Sequence, residues 1–181
     1  MVPASGGSRR IGYEPGSKRS PLPRRPEISI TPVWVCFSSG EAAKAGCNAD
    51  SHNHNDTGSV ILYRYGKPFL IDVGVETYTQ KTFSNQRYEI WTMQSQWHNL
   101  PTFGGVQQQT GAAFRAQDMR TAFSGNDVEI PMEFSAAWPA EARLERFACT
   151  VRLEKTGFTL YDVCSGEHET AFLSLMLCEA P

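Results

Sequence analysis

In the stretch SHNHNDTGSVILYRYGKPFLIDVG, Ser51 to Gly74, two histidines stand one residue apart and an apolar run further on closes with an aspartate. A later segment, WHNLP, adds a third histidine. His52, His54, Asp72 and His98 are residue types that bind transition metals. Two imidazoles and one carboxylate, with a fourth position left to water or another ligand, form a zinc environment. The aspartate in FLIDVG is flanked by apolar residues, and burying it without a cation or donors would be costly. The plainer alternative is that Asp72 caps a turn before Gly74 and the histidines are surface residues. Taken together, His-x-His, the apolar-flanked aspartate and the later His-Asn favour a metal. Two histidines and a carboxylate also make non-haem iron sites. Cupin-like barrels, however, place a glutamate about four residues after His-x-His, where this chain has Thr57 and Gly58. The H-E-x-x-H helix of metalloproteases has no counterpart.

These residues need a frame that brings them together. Residues two apart on a strand share a face, so His52 and His54 can point the same way. The runs around Tyr65-Gly66-Lys67 read as a hairpin, which places Asp72 opposite about Val60. His54 precedes Val60 by six residues and would lie about 20 Å away on an extended chain. A site using both therefore requires the chain to fold back, and NDTG, residues 55–58, supplies turn chemistry. His98 has to arrive from a separate loop.

The rest of the chain reads as sheet. From about residue 28 the dominant signal has period two. In LERFACTVRLEK, Phe147, Cys149, Val151 and Leu153 take one face, and Thr156-Gly157 turns the chain into FTLYDVCSG. TAFLSLMLCEA reads as a buried strand. Only NQRYEIWTMQSQWHNLP has a helical pattern, ended by Pro101, and its aromatics could equally line a loop. The fold class is all-β, an antiparallel β-sandwich. Because the chain stops just after an apolar strand, which would leave an open edge, it reads as a truncated piece of a larger supersandwich.

Composition bounds the alternatives. The 181 residues are 40% hydrophobic with a formal charge of -2, which suits one globular domain. No apolar run reaches the roughly 18 residues needed to cross a bilayer. Residues 1–27 hold six cations against Glu14 and Glu27 and are rich in proline and glycine. They read as a disordered basic tail, with residues 28–181 as the sandwich domain. Without aromatic interleaving the tail does not point to nucleic acid. It lacks the apolar core of a signal peptide. Five cysteines without C-x-x-C spacing indicate neither a zinc ribbon nor a redox dithiol.

SHNHNDTGSVILYRYGKPFLIDVG followed by RYEIWTMQSQWHNLP resembles the C-terminal β-sandwich of the heparinase II/III-like polysaccharide lyases. The resemblance runs from about Trp34 to at least Gln109, and more weakly to CTVRLEKTGFTLYD. It implies an N-terminal α/α toroid, absent from this chain, and β-elimination on uronate-containing polysaccharides, heparan- or alginate-like. It also implies a structural zinc held by His54, Asp72 and His98, and an active-site role for His52 facing the substrate uronate. His52 would neutralise the uronate carboxylate or act as base; its plainer use is to orient the zinc site. The family's central tyrosine belongs to the toroid, so this chain alone is expected to lack the full active site. Tyr88 and Trp97 are candidate substrate contacts, with core packing the alternative for both. Gln94 and Asn99 flank the third ligand. The partner implied is an acidic polysaccharide, with no nucleic acid and no membrane, and the location is periplasmic or secreted. A non-catalytic, zinc-stabilised module that binds acidic glycan is the competing function.

Overall fold

The computed structural model describes residues 5–11, 28–30, 34–37, 41–64, 66–125, 127–154, 157–167 and 170–178. The first strands in chain order are β1 (Ser5–Ile11), β2 (Ile28–Ile30), β3 (Trp34–Phe37), β4 (Glu41–Lys44), β5 (Cys47–Asn48), β6 (Val60–Arg64) and β7 (Lys67–Leu70). There follow β8 (Pro101–Phe103), β9 (Gly111–Arg115), β10 (Asp118–Met119), β11 (Ala122–Ser124), β12 (Asp127–Glu133), β13 (Leu144–Glu154), β14 (Gly157–Gly166) and β15 (Ala171–Leu173). One sheet runs β1-β14-β13-β12-β10, with β11 also on β12; a second runs β2-β3-β4-β6-β7. Two short ribbons, β8 with β15 and β5 with β9, complete the pairing. All of these pairings are antiparallel.

Period two builds the core. Along β12, Val128, Ile130 and Met132 are buried while Glu129 and Pro131 between them are exposed. Along β13, Phe147, Cys149 and Val151 are buried, and Leu153 packs on the same cluster. That cluster also takes Ala43, Val60, Leu62 and Leu70 from the second sheet. Two sheets sharing one apolar cluster is the sandwich the alternation predicts. Phe103, Trp138 and Phe147 fill one part of it edge to face, at ring separations of 5.2–5.4 Å.

Three segments depart from expectation or lie outside view. Within the basic stretch read as a disordered tail, Ser5–Ile11 form β1, paired to β14 from Ser5↔Cys164 to Ile11↔Phe158; the remainder lies outside the described residues. So do Tyr65 and Thr156 of the two expected turns. The run read as a buried final strand is instead a three-residue β15 in which Phe172 is 67% exposed. The chain leaves that ladder after Leu173, and Met176 turns its backbone to Asn99 and Ile71 instead.

The pattern read as a helix is a string of three-residue 3-10 turns, Arg87–Glu89, Trp91–Met93 and Ser95–Trp97. Extended residues, Ile90 (ψ 126) and Gln94 (ψ 137), separate them. The carbonyls that a continuous helix would use are spent elsewhere. Thr92 O accepts from the His98 ring at 3.0 Å, and Met93 O accepts from Asn55 N–H at 3.0 Å. Hydrogen bonds to the His98 ring and to the histidine loop thus override helical propensity.

Candidate metal centre

The site is assembled by a folded-back loop, a hairpin arm and the last of the 3-10 turns. Between His54 and β6, the Ser59 N–H bonds back to Asp56 O at 2.9 Å, which reverses the chain. Gly58 sits at φ 99, and a Cβ there would come within 3.2 Å of Leu100 Cδ2. This turn needs glycine for both its backbone conformation and its space. Lys44, at the end of β4, reaches under the loop to form an ion pair with Asp56; their side chains are 3% and 7% exposed. Asp56 and Lys44 thereby fix the segment that carries His54.

The hairpin register follows expectation. Leu62 pairs with Leu70, which by extension sets Val60 opposite Asp72. The β6–β7 ladder stops at Leu70, and Asn99 takes over. Its Nδ2 donates to Val60 O at 2.8 Å and Ile71 O at 2.9 Å, bridging the two arms where the ladder ends. Its Oδ1 accepts from Met176 N–H at 2.7 Å. The residue beside His98 is therefore the clamp that holds the strand end bearing Asp72. Asp72 Oδ1 in turn accepts from Gly74 N–H at 2.7 Å, so it does cap the turn, and its Oδ2 remains for other work.

His54, Asp72 and His98 meet: one potential ligand atom from each lies within 4.8 Å of the others, and the three could hold a metal ion. The His54 and His98 rings are 5.2 Å apart, tilted by 51°. His98 is fully buried; Nδ1 lies 2.9 Å from Asp72 Oδ2 and Nε2 lies 3.0 Å from Thr92 O. Thr92 O and the Asp72 carboxylate can both only accept, so a neutral ring, with its one hydrogen, can bond to one of them and not to both. A positive charge at the ring resolves the conflict. A second ring proton would serve, and so would a metal ion. A ligating imidazole whose other nitrogen donates to a backbone carbonyl is the usual support of a metal site. The residues thus fit a cation on chemical grounds.

The local electrostatics point the same way. Burial holds the His54 imidazole below its ordinary value of 6.5, against the pull of Asp56. That keeps it in the neutral form that binds metals. For Asp72, burial pushes upward, but the hydrogen bond and charge of His98, the Gly74 N–H and His54 together outweigh it. Its carboxyl ends below the ordinary 3.8 and stays ionised.

The other candidates lie around this centre. His52 is exposed and adopts φ 59, a left-handed conformation that few non-glycine residues take. It stands outside the three-residue cluster. Tyr88 is half-buried, and its hydroxyl donates to Asn53 Oδ1 at 2.9 Å. Asn53 Nδ2 donates to His54 O at 2.9 Å, so Tyr88 braces the histidine loop. Arg87 adds two bonds to Asn53 O, at 3.2 and 3.0 Å. Trp97 is 40% exposed and meets Trp91 edge to face at 5.6 Å, so it is not a core residue. Gln94 donates from Nε2 to Tyr88 O at 3.2 Å. Sequence reasoning missed Lys44, Asn53 and Thr92, and it read Asp56 only as part of the NDTG turn. Thr92 acts through its backbone, and Lys44 and Asp56 stand twelve residues apart in no shared motif.

The model of the family described as heparinase II/III-like, C-terminal, matches residues 31–174. No curated protein matches the chain. The family match spans most of the sequence, and the chain belongs to this family.

Proposed function

We propose that this member of the heparinase II/III-like C-terminal family is the β-sandwich portion of a polysaccharide lyase acting on uronate-containing glycans, heparan- or alginate-like. The cation at His54, Asp72 and His98 would be zinc, with a structural role. The observation that carries the reading is the His98 bridge, in which Thr92 O fixes one ring nitrogen and Asp72 faces the other. Zinc bound there would supply the positive charge that contact requires and would tie the loop 52–58 to the end of the hairpin. His52, two residues before His54 and exposed on that loop, would address the substrate.

The chemistry is β-elimination. A base removes the proton alpha to the uronate carboxylate, the bond to the leaving oxygen breaks, and an acid protonates that oxygen. The proton is weakly acidic until hydrogen bonds or positive charge neutralise the carboxylate. His52 would supply that neutralisation or take the proton. The remaining acid–base group, a tyrosine, would come from a helical toroid joined to this domain, so the chain alone would not turn over. A periplasmic or secreted location belongs to the same proposal.

The test is metal content by plasma mass spectrometry on the purified chain and on His98→Ala. About one zinc per chain, lost in the variant, is the expected result; well-folded protein without metal would overturn the zinc assignment. In protein joined to its helical domain, His52→Ala should keep the metal and lose formation of unsaturated uronate. A fully active His52→Ala enzyme would remove His52 from the mechanism, and zinc-loaded wild-type protein that binds acidic glycan without cleaving it would leave a binding module.

A further inference from the structure

A groove of about 480 Å³ opens beside Asn55, the residue after His54, and no residue lining it carries a formal charge. Its volume falls within the range of small-molecule sites. Asn55, Gln107 and Gln109 bring side-chain amides to its lining; Tyr88, Gln94 and Thr110 also line it, with bonds already made to Asn53, Tyr88 O and Asn48 O. Gln108 anchors one wall. It is buried, its Oε1 accepts from Thr57 N–H and Asn48 Nδ2 at 3.1 and 2.9 Å, and its Nε2 donates to Thr57 O at 2.7 Å. That leaves Gln107 half-exposed and Gln109 exposed on a fixed backbone. Asn55 is 5% exposed, yet its Oδ1 has no hydrogen-bond partner among the described residues. An unpaired buried amide oxygen is costly, and such defects persist where a ligand can complete them. The terminal torsion of an asparagine is broad, so a small rotation presents that oxygen to the groove.

We propose that this groove is a subsite for an uncharged, hydroxyl-rich sugar unit, adjacent to the unit addressed at the histidine loop. Amides offer a donor and an acceptor each, which matches sugar hydroxyls. The lining offers no cation to a carboxylate or sulfate, so charged units would gain little here. The assignment rests on the glycan reading above for its ligand class, and it adds that neutral units of an alternating glycan are recognised separately from acidic ones.

The experiment is a nuclear magnetic resonance titration of zinc-supplemented protein with N,N′-diacetylchitobiose and cellobiose as neutral probes, and with a digalacturonate as the charged probe. The neutral probes should shift the side-chain amide signals of Asn55, Gln107 and Gln109. Gln107→Ala and Gln109→Ala should each weaken that binding about fivefold, the loss of roughly one hydrogen bond, with metal content unchanged. These exposed or half-exposed positions are chosen because Asn55→Ala could disturb the loop itself. Neutral probes that leave the three signals unmoved, or bind the variants as well as wild type, would overturn the subsite. If digalacturonate still binds in that case, the lyase reading survives and only the subsite falls. If neutral binding is present and lost in the variants, the subsite holds even where digalacturonate fails to bind and the lyase reading falls.

Discussion

Replacing Asp72 by asparagine separates the two forces acting on that side chain. The substitution keeps its size and keeps an Oδ1 for Gly74 N–H, now at 2.7 Å. In place of Oδ2, 2.9 Å from His98 Nδ1, it puts an NH2 group that can donate. A neutral ring in the variant can then give its one hydrogen from Nε2 to Thr92 O and accept that NH2 at Nδ1, so every group is satisfied without any cation. At pH 8, where imidazole ordinarily carries one proton, the metal-free variant should be within about 1 kcal/mol of metal-free wild type or above it. Metal response should behave oppositely. A ligand present at one hundred times its dissociation constant stabilises a fold by about 2.7 kcal/mol, and wild type should show that gain with zinc. The variant, lacking the carboxylate, should show almost none. Urea unfolding with chelator and with zinc measures both quantities. A metal-free Asp72→Asn protein destabilised by about 3 kcal/mol would refute the tautomer argument, because the carboxylate would then be worth more to the empty site than a donor is. A variant that keeps the full zinc response would remove Asp72 from the ligand set.

Two further outcomes follow from the same residues. Lys44→Met leaves Asp56 as a buried carboxylate without its cation, which should cost about 3–5 kcal/mol of stability by urea unfolding; a loss under about 1 kcal/mol would mean that the pair is not buried in solution. Metal-free protein should lose stability toward acid in two windows, followed by urea midpoints across pH. His54 is held below 6.5 in the fold, so the unfolded chain binds its proton first, and stability present above pH 6.5 should decline as pH falls beneath it. Asp72 is held below 3.8, so its contribution should persist above pH 3.8 and be lost as pH drops through its folded value. Stability that rises on acidification through pH 6 would contradict the first sign.

Much of the fold was legible because burial on one face imposes period two. Val128, Ile130 and Met132 alternate with exposed neighbours, and Phe147, Cys149 and Val151 face the same cluster. The pairing of the two hairpin arms was legible too, although the register that sets Val60 opposite Asp72 also depends on an irregularity between Leu62 and Tyr63 that no turn residue announces. The final apolar run misled because hydrophobicity does not say what covers a strand. Phe172 is exposed, and Met176 departs to hydrogen-bond Asn99.

The site shows the limit more sharply. His52, His54, Asp72 and His98 could be named as candidates because of their residue types and spacing, and the family resemblance narrowed the ligand set to His54, Asp72 and His98. What holds them together was hidden, because it consists of backbone groups and long-range pairs. Thr92 and Met93 contribute carbonyls, which every residue possesses, and their diversion to His98 and Asn55 is also what breaks the helical pattern into separate turns. The same two hydrogen bonds therefore explain both why the helical reading of this segment fails and why His54 and His98 are held near each other. A helix through this segment would have spent those carbonyls internally. His98 would then have lacked its contact with Thr92 O, and the histidine loop would have lost its anchor at Asn55. The irregular backbone between Arg87 and Trp97 is thus the feature that lets an otherwise ordinary sandwich bring two imidazoles and a carboxylate within 4.8 Å of one another.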